Sequence, residues 1–250
     1  MTSAVQDKGA VIVTGAGRGI GASIAERLAH DGYGVVVNYA ADAEGAEAVV
    51  AAISAKGGRA MAVRADVASE DDVAAMFDRA QQQMGPLTAL VNNAGSVGER
   101  ARVDEREADE LTRLMQVNVV GPMLCAKHAV RAMSTAHGGK GGCIVNIASG
   151  AARAPAGMAG IVPYEATKAA EVTFARGLSN EVASEGIRVN SVSPGVIETG
   201  MPTPEDKEVG KRSPLGRLGR PDEIAAAVSW LVSPEASYVT GSDITVSGGL

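Results

Sequence analysis

The sequence predicts one α/β domain, built on a parallel sheet that helices cover on both faces. Seven short runs rich in Val and Ile alternate with segments of helical periodicity along the 250 residues. These runs are apolar at both odd and even positions, which is typical of strands buried on two faces. Strands in such a β–α alternation are expected to be joined by right-handed crossovers. Because no linker composition or internal repeat divides the sequence, we expect residues 1–250 to form a single domain.

The strands and helices follow from the apolar pattern. The predicted strands cover residues 10–14, 34–39, 60–65, 87–92, 143–149, 187–192 and 243–246. Two helices are marked by apolar residues that recur every three or four positions, namely Ile20, Ile24, Leu28, Val73, Phe77, Ala80 and Met84. Residues 104–134, 164–185 and 221–233 also have helical patterns.

The composition argues against several classes of function. The net charge is −6, from 23 basic and 29 acidic residues, and aromatic residues make up 3%. We therefore expect no nucleic-acid surface. No apolar run reaches the roughly 18 residues that a membrane span needs. Cys125 and Cys143 lie in apolar surroundings and are expected to be free, buried thiols, while the scattered histidines predict no metal site. Residues 1–8 lack the apolar core of a secretory leader, so we expect a cytoplasmic protein.

A glycine-rich turn follows the first predicted strand and leads directly into the first helix. From Thr14 it reads Thr-Gly-Ala-Gly-Arg-Gly-Ile-Gly, with glycines spaced G-x-x-x-G-x-G at Gly15, Gly19 and Gly21. Glycine lets the backbone turn sharply and approach a ligand with no Cβ in the way. The helix N-terminus beyond it offers free amides to a pyrophosphate. The pattern favours a dinucleotide site, and a tight turn that binds nothing is the structural alternative.

Together with this turn, four further motifs resemble those of the short-chain dehydrogenase/reductase family. They are Asn-Asn-Ala-Gly at 92–95, Asn118, Ser149 and Tyr164-x-x-x-Lys168, in matching order along nearly the whole chain. Residues 216–223 and 238–241 resemble those of 3-oxoacyl-carrier-protein reductases and glucose dehydrogenase-like members.

The resemblance implies a fold, an activity and an assembly. The fold is a single Rossmann-type, doubly wound domain whose seven-stranded parallel sheet has helices on both faces. The activity is that of an NAD(P)-dependent oxidoreductase acting on CH–OH groups. The assembly is a homotetramer in which the helices near 104–134 and 164–185 pair across a two-fold axis.

The chemistry of Tyr164 and Lys168 fits such a reaction. Residues four apart on a helix share a face, and an ammonium beside a phenol, whose ordinary pKa is about 10, favours the phenolate. The phenol can then give a proton to a carbonyl oxygen or take one from an alcohol. A hydroxyl at Ser149, at the end of a predicted strand, can hold the same oxygen and stabilise developing charge. A partly exposed helix with a cation neighbour is the alternative for the pair.

Asn118 lies within a long helical pattern, where asparagine is unfavourable. Taken by itself, it could face solvent or bond to backbone. The resemblance implies instead that Asn118 holds a water beside Lys168 and completes a proton path to solvent. Glu165, directly after the tyrosine, departs from the family pattern, in which a small residue is common.

The end of the second predicted strand bears on the choice between NAD and NADP. NAD-specific enzymes place a carboxylate there for the ribose hydroxyl, whereas Tyr39 occupies the position here. Arg18 in the glycine turn can pair with a 2′-phosphate, so NADP is favoured. NAD remains possible if Asp42 bends back to the ribose. Asp66 resembles the family's adenine-side acid, and a helix cap or a solvated acid is the alternative.

The cofactor contacts that we expect combine these residues with others that the resemblance implies. They are Gly15, Arg18, Gly19, Ile20, Gly21, Asn38, Tyr39, Ala40, Asp66, Val67, Asn92, Ala94, Gly95, Tyr164, Lys168, Pro194, Gly195, Ile197 and Thr199.

Residues 200–213 are the predicted substrate lid, and their charged composition favours a compact polar substrate over a long acyl chain. A mobile solvated loop is the alternative for this segment. The whole chain could also be a non-catalytic dinucleotide sensor, although the set of Asn118, Ser149, Tyr164 and Lys168 speaks against that. We therefore expect a small carbonyl or alcohol substrate and no nucleic-acid or membrane partner.

Overall fold

The computed structural model describes residues 7–153, 158–200 and 204–250. Within them, seven strands form one sheet in the order β3-β2-β1-β4-β5-β6-β7, and every neighbouring pair is parallel. The strands are β1 Ala10–Val13, β2 Gly34–Tyr39, β3 Arg59–Arg64, β4 Leu87–Asn92, β5 Gly142–Ile147, β6 Ile187–Pro194 and β7 Asp243–Val246. The predicted doubly wound, seven-stranded parallel sheet is confirmed, and the strand order reverses between β1 and β4.

Helices pack on both faces of the sheet, as predicted. They are α1 Gly19–His30, α2 Ala43–Ala55, α3 Glu70–Met84, α4 Ala108–Met115, α5 Gly121–Met133, α6 Val162–Val182, α7 Pro204–Arg212 and α8 Pro221–Val232. One apolar core joins the sheet to α1, α2 and α8, and a second joins it to α3, α5 and α6. The inner strands are buried on both faces because each side of the sheet has its own core.

The helical pattern over 104–134 corresponds to two helices, α4 and α5, and not to one continuous helix. A 3₁₀ turn at Val103–Glu105 precedes α4, and a π-helical turn at Gln116–Val120 separates α4 from α5. The Gly121 amide donates to the carbonyl of Gln116, five residues back. Pro122 has no N–H with which to continue an ordinary α-helical ladder, which accounts for an irregular turn at this point.

Two other predicted segments differ from the structure. The fifth strand ends at Ile147, so Ser149 lies two residues beyond the strand rather than at its last position. Residues 204–212 of the predicted lid form α7 and not a loop, because this stretch is rich in helix-forming Glu and Lys. Residues 201–203 of the lid lie outside the described residues.

Both cysteines are buried free thiols, as predicted. Burial raises the pKa of the Cys125 thiol to about 12 and that of Cys143 to about 11. Among the residues that the structure describes, no group of three His, Cys, Asp or Glu could hold a metal ion. In the same part of the chain, no helix has both the length and the apolar character needed to cross a bilayer.

The carboxyl ends of the parallel strands lie along one edge of the sheet and carry the turns that follow them. The turns after β1 and β4 are tied together at the point where the strand order reverses. Thr14 Oγ1 accepts from the amides of Asn93 and Ala94, both at 3.0 Å. The Asn93 side-chain amide donates to the carbonyls of Thr14 and Gly15, at 2.9 and 3.0 Å. These bonds define a crevice of the kind in which α/β proteins bind ligands.

Candidate active site

The glycine turn is held close to the sheet by glycines that no larger residue could replace. Gly15 has φ +61°, and a Cβ on it would lie 2.9 Å from Ala94 Cα. A Cβ on Gly21 would lie 2.5 Å from Asn93 Nδ2 and 2.6 Å from the Gly15 carbonyl oxygen. The turn is therefore packed against the segment after β4, and the N-terminus of α1 opens onto the groove beside it.

Asn38 belongs to the frame of this groove as well as to its lining. The side chain is buried, and its Oδ1 accepts from the Gly15 amide at 3.2 Å. Its Nδ2 donates to the carbonyl of Ala65 at 3.0 Å and to that of Val63 at 3.3 Å. One side chain therefore links the glycine turn, β2 and β3, which explains a buried polar residue at this strand end.

A groove of about 790 Å³ runs along the glycine turn, and a second cavity of about 340 Å³ adjoins it. The groove is lined by the predicted cofactor residues Gly15, Arg18, Gly19, Ile20, Gly21, Asn38, Tyr39, Ala40, Asp66, Val67, Ala94, Gly95 and Thr199. The cavity is lined by Ser149, Tyr164, Lys168, Pro194, Gly195 and Ile197. Both share Ile20, Asn93, Gly95 and Thr199, so the two spaces form one cleft.

Asn92 lies beneath the cleft and lines neither space. Its buried Nδ2 donates to Asn146 Oδ1 at 2.9 Å and to the carbonyl of Pro122 at 3.2 Å. These bonds join β4 to β5 and to α5. Asn92 therefore supports the floor of the site, while Asn93, which the sequence reasoning did not single out, lines it.

Asp66 neither stands free nor caps α3, whose N-cap is Ser69. Its carboxylate accepts from the Ala68 amide at 3.0 Å and from Arg113 at 2.8 Å. Partial burial tends to raise the pKa of the Asp66 carboxyl, but the Ala68 amide and Arg113 outweigh it and hold the pKa below its ordinary value. Arg113 lines the same groove and is a cation that the sequence reasoning missed.

Asn118 is buried within the π-helical turn, which excludes the solvent-facing reading. Its Nδ2 donates to the carbonyl of Ser96 at 2.8 Å and to Thr167 Oγ1 at 3.0 Å, while its Oδ1 accepts from the Ser96 amide at 2.9 Å. A Cβ on Gly95 would lie 3.5 Å from Asn118 Oδ1 and 3.4 Å from Lys168 Nζ. Asn118 thus joins the segment after β4 to α6. Gly95 lies next to both Asn118 and Lys168, and its lack of a side chain leaves room for them.

Tyr164 and Lys168 lie on one face of α6, as their spacing predicts. Pro163 stands in the first turn of the helix, where a missing N–H costs nothing. Lys168 Nζ lies 5.9 Å from the centre of the Tyr164 ring. The ammonium is buried, and it donates to the carbonyl of Ile147 at 2.8 Å. Ser149 lines the same cavity as both residues, so the structure brings three of the four predicted catalytic residues to one wall of the cleft.

A carboxylate that the sequence reasoning missed completes this cluster. Glu171 accepts from Lys168 Nζ at 2.8 Å through Oε1 and at 3.1 Å through Oε2, and it is almost fully buried. Burial raises the pKa of the Glu171 carboxyl to about 7, although the Lys168 ammonium acts in the opposite direction. Its position three residues after Lys168 and seven after Tyr164 puts it on the same helix face, which is a signal that the sequence did contain.

Glu171 is expected to make stability depend on pH. Its ordinary pKa is 4.5, whereas in the folded protein the pKa is about 7. The folded state binds more protons between these values, so the contribution to the free energy of unfolding is full below 4.5 and is lost as the pH rises through 7. Over this interval we expect the wild type to lose about 2 kcal/mol more than Glu171→Gln. Denaturant titrations at several pH values measure this, and parallel pH dependences would contradict it.

Arg106 fixes the segment that leads to Tyr164. Its guanidinium donates to the carbonyl of Gly160 at 2.9 Å and to Glu110 and the carbonyl of Glu99. The Ala101 amide also donates to Gly160, at 3.1 Å. These contacts hold the chain after β4 against the residues that enter α6.

Comparison with known proteins agrees with this geometry. The family model described as enoyl-(acyl carrier protein) reductase matches residues 15–250. The uncharacterized oxidoreductase YgfF of Escherichia coli is 44% identical over 95% of this chain and 98% of its own. Glucose 1-dehydrogenase 2 of Bacillus subtilis is 38% identical, over 96% and 93%. The 3-oxoacyl-[acyl-carrier-protein] reductase FabG of Staphylococcus aureus is 40% identical, over 96% of both chains.

Solved structures show the same fold. A short chain dehydrogenase from Burkholderia cenocepacia in complex with NADP is 37% identical with a TM-score of 0.89, over 99% of both chains. A 7α-hydroxysteroid dehydrogenase complexed with NADH and 7-oxo glycochenodeoxycholic acid is 35% identical with a TM-score of 0.89, over 97% of this chain and 94% of its own. This chain therefore belongs to the short-chain dehydrogenase/reductase family and is an oxidoreductase.

Proposed function

We propose that this oxidoreductase interconverts a small carbonyl compound and the corresponding secondary alcohol, with NADP(H) as cofactor and Tyr164 as general acid and base. The observation that carries the proposal is the single cleft in which Ser149, Tyr164 and Lys168 line a cavity that adjoins the groove along the glycine turn. When bound, the cofactor supplies or accepts a hydride at the carbon of the reacting group.

The groove fits a dinucleotide. The close approach of the turn to the segment after β4 leaves no room for a Cβ on Gly15 or Gly21, and the free amides at the N-terminus of α1 are suited to a pyrophosphate. Gly15, Gly19 and the first turn of α1 would hold the pyrophosphate. Asp66 and Val67 line the part of the groove after β3, where the adenine would lie.

Charge favours NADP over NAD. Tyr39, Ala40 and Asp42 line the groove after β2, and Arg18 lines it from the glycine turn. Asp42 is the N-cap of α2, and its Oδ1 accepts from the Gly45 amide at 3.0 Å. This bond uses one carboxylate oxygen for the helix cap, and Tyr39 rather than an acid stands at the end of β2. The Burkholderia structure contains NADP, and the 7α-hydroxysteroid dehydrogenase, which contains NADH, keeps NAD as the second candidate.

Proton transfer is assigned to Tyr164 because of its neighbours. The Lys168 ammonium lies 5.9 Å from the centre of the ring, where a cation can stabilise negative charge that develops on the reacting oxygen. The phenol can give its proton to the substrate oxygen during reduction, and the phenolate can take a proton from the alcohol during oxidation. Ser149 shares the cavity and would donate a hydrogen bond to the same oxygen. Asn118 fixes the backbone of Ser96 at the side of this cavity.

The substrate is proposed to be compact and polar. The cavity next to Tyr164 measures about 340 Å³, and the described side chains of α7, such as Glu208 and Lys211, are charged. The relatives named above act by their names on glucose and on a 3-oxoacyl thioester. We propose that residues 204–213 cover a polar carbonyl compound.

A coupled activity screen tests the function. Consumption of NADPH and NADH should be followed side by side with ketones, aldehydes and a 3-oxoacyl thioester, and NADP reduction with glucose and other alcohols. We expect turnover with at least one compact polar carbonyl or alcohol and a preference for the phosphorylated cofactor. Cofactor binding without turnover of any compound in the screen would contradict the proposal.

Replacement of Arg18 by alanine is expected to weaken NADPH binding by about 10-fold or more, since a charge-assisted hydrogen bond to phosphate is lost. NADH has no 2′-phosphate, so its affinity should stay within about twofold. Cofactor fluorescence titration measures both dissociation constants. Alanine at the exposed Arg79 of α3 is the matched control and should change neither. An equal loss for both cofactors in Arg18→Ala would contradict the 2′-phosphate contact.

A homotetramer is proposed for the assembly, on the family resemblance and on exposed apolar side chains. Met115 ends α4, and Val120 and Met123 lie just after it, with 45%, 42% and 39% of their surface exposed. Light scattering should give about four times the chain mass of 25.3 kDa. A mass near that of one chain would contradict the tetramer.

A further inference from the structure

The Lys168–Glu171 ion pair joins a residue of the proposed reaction to a buried carboxylate that the reaction does not use. The two side chains are 5% and 2% exposed, and both carboxylate oxygens lie within 3.1 Å of Nζ. Lys168 also donates to the carbonyl of Ile147. Three acceptors therefore surround an ammonium that lines the catalytic cavity.

Placing a carboxylate at this buried position is energetically unfavourable compared with an apolar side chain. Removing two charges from water costs several kcal/mol per ion, and an apolar side chain of similar volume is often as stable or more so. Burial also disfavours the ionised form of Glu171 and raises the pKa of its carboxyl to about 7. The ion pair therefore calls for a role beyond stabilising the fold.

We propose that Glu171 is a positioning residue that tethers the Lys168 ammonium and reduces its field at Tyr164, so that the phenolate forms at a higher pH than it would beside an unpaired lysine. This inference rests on the proposed role of Tyr164 and deepens it. A phenol that stays protonated over a wider pH range is in the form that reduction needs over that range, because reduction requires it to donate a proton.

The distances are short enough for the charge of Glu171 to affect the ionisation of Tyr164. Nζ lies 5.9 Å from the centre of the Tyr164 ring and 2.8 Å from Glu171 Oε1, so the carboxylate is less than about 9 Å from the ring. At an effective dielectric constant of about 20, one charge at this separation changes the ionisation of a phenol by about one pH unit.

The other charged groups around α6 have partners of their own or stay constant in the comparison. Arg106, before α4, is bonded to Glu110. Arg188 of β6 donates to the carbonyls of Val232, Ser233 and Val239. Glu165 follows Tyr164 on α6 and is present in every variant below. Because the pKa of Glu171 is about 7, its carboxylate is ionised over the alkaline range in which a phenol titrates.

The test is an ultraviolet difference titration of tyrosinate in the cofactor-free protein. It compares the wild type with Glu171→Gln, which keeps the shape, and Glu171→Met, which removes all polarity. The same titration with Tyr164→Phe added to each protein isolates the Tyr164 signal from Tyr33, Tyr39 and Tyr238. We expect the midpoint of the Tyr164 signal to fall by about one pH unit in both variants. The acid limb of the kcat/KM profile for alcohol oxidation should move in the same direction.

Glu181→Gln is the matched control, since Glu181 lies on the same helix but is exposed. It should leave the midpoint unchanged. An unchanged or higher midpoint in the folded Gln and Met variants overturns the proposal, and so does failure of both to fold, which would make Glu171 a purely structural residue. Because the titration needs neither cofactor nor substrate, its result is separate from that of Tyr164→Phe on turnover, which tests the proposed function itself.

Discussion

Replacing Tyr164 by phenylalanine should lower turnover by about 10²–10⁴-fold, which is the usual contribution of a positioned acid or base. The substitution removes one hydroxyl and keeps the ring beside Lys168. The groove along the glycine turn is untouched, so the dissociation constant of NADPH should stay near that of the wild type. Steady-state kinetics and fluorescence titration measure the two quantities.

Tyr238→Phe is the matched control for this experiment. Tyr238 is fully exposed, and it lines neither the groove nor the cavity next to Tyr164. Its loss should leave both turnover and cofactor affinity unchanged. Turnover of Tyr164→Phe within about threefold of the wild type would show that the phenol carries no acid–base role.

Alanine at Gly21 should both destabilise the protein and weaken cofactor binding. The new Cβ would meet Asn93 Nδ2 at 2.5 Å and the Gly15 carbonyl oxygen at 2.6 Å. Asn93 cannot move aside without losing its bonds to the carbonyls of Thr14 and Gly15. We expect a loss of about 2–4 kcal/mol in the free energy of unfolding, from overpacking and broken hydrogen bonds together. NADPH affinity should fall by at least about tenfold, because the turn is displaced.

Gly177→Ala gives the opposite expectation for the same chemical change. Gly177 lies inside α6, and a Cβ there would meet nothing within 4 Å. Alanine should stabilise the helix by about 0.5–1 kcal/mol and leave cofactor binding alone. Denaturant unfolding and cofactor titration compare the two variants. A Gly21→Ala protein as stable as the wild type would mean that the turn can relax away from Asn93.

The sequence predicts the inner strands of the sheet well because they are buried on both faces. The runs 34–39 and 87–92 are apolar apart from Asn38, Thr88 and Asn92, and their bounds agree with the structure. The helix over 104–134 fails for a different reason. Its apolar period continues through Gln116–Val120, but Pro122 lacks the amide that an α-helical hydrogen-bond ladder needs there. The spacing of apolar side chains carries no information about these backbone hydrogen bonds.

The sequence predicts which residues belong to the candidate site better than it predicts the contacts between them. Tyr164 and Lys168 are recognisable from their spacing on one helix. The roles of Asn92 and Asn38 as frame residues depend on partners far along the chain, such as Asn146 and Ala65, which no local pattern indicates. Helical spacing places Glu171 on the same face as Lys168, but its burial against Lys168 depends on tertiary packing that the spacing does not indicate.

The bonds made by Thr14 and Asn118 have a consequence for how this protein acquires its activity. Thr14 is held by residues 79 and 80 positions later, and Asn118 by a residue 49 positions later. The glycine turn can therefore reach its final place only once residues 93 and 94 have been made, whereas Asn118 is fixed only once α6 has docked on the sheet. Chains that stop short of this helix would lack Tyr164 and Lys168, which line the second part of the cleft, so turnover, rather than nucleotide affinity, would report completed folding.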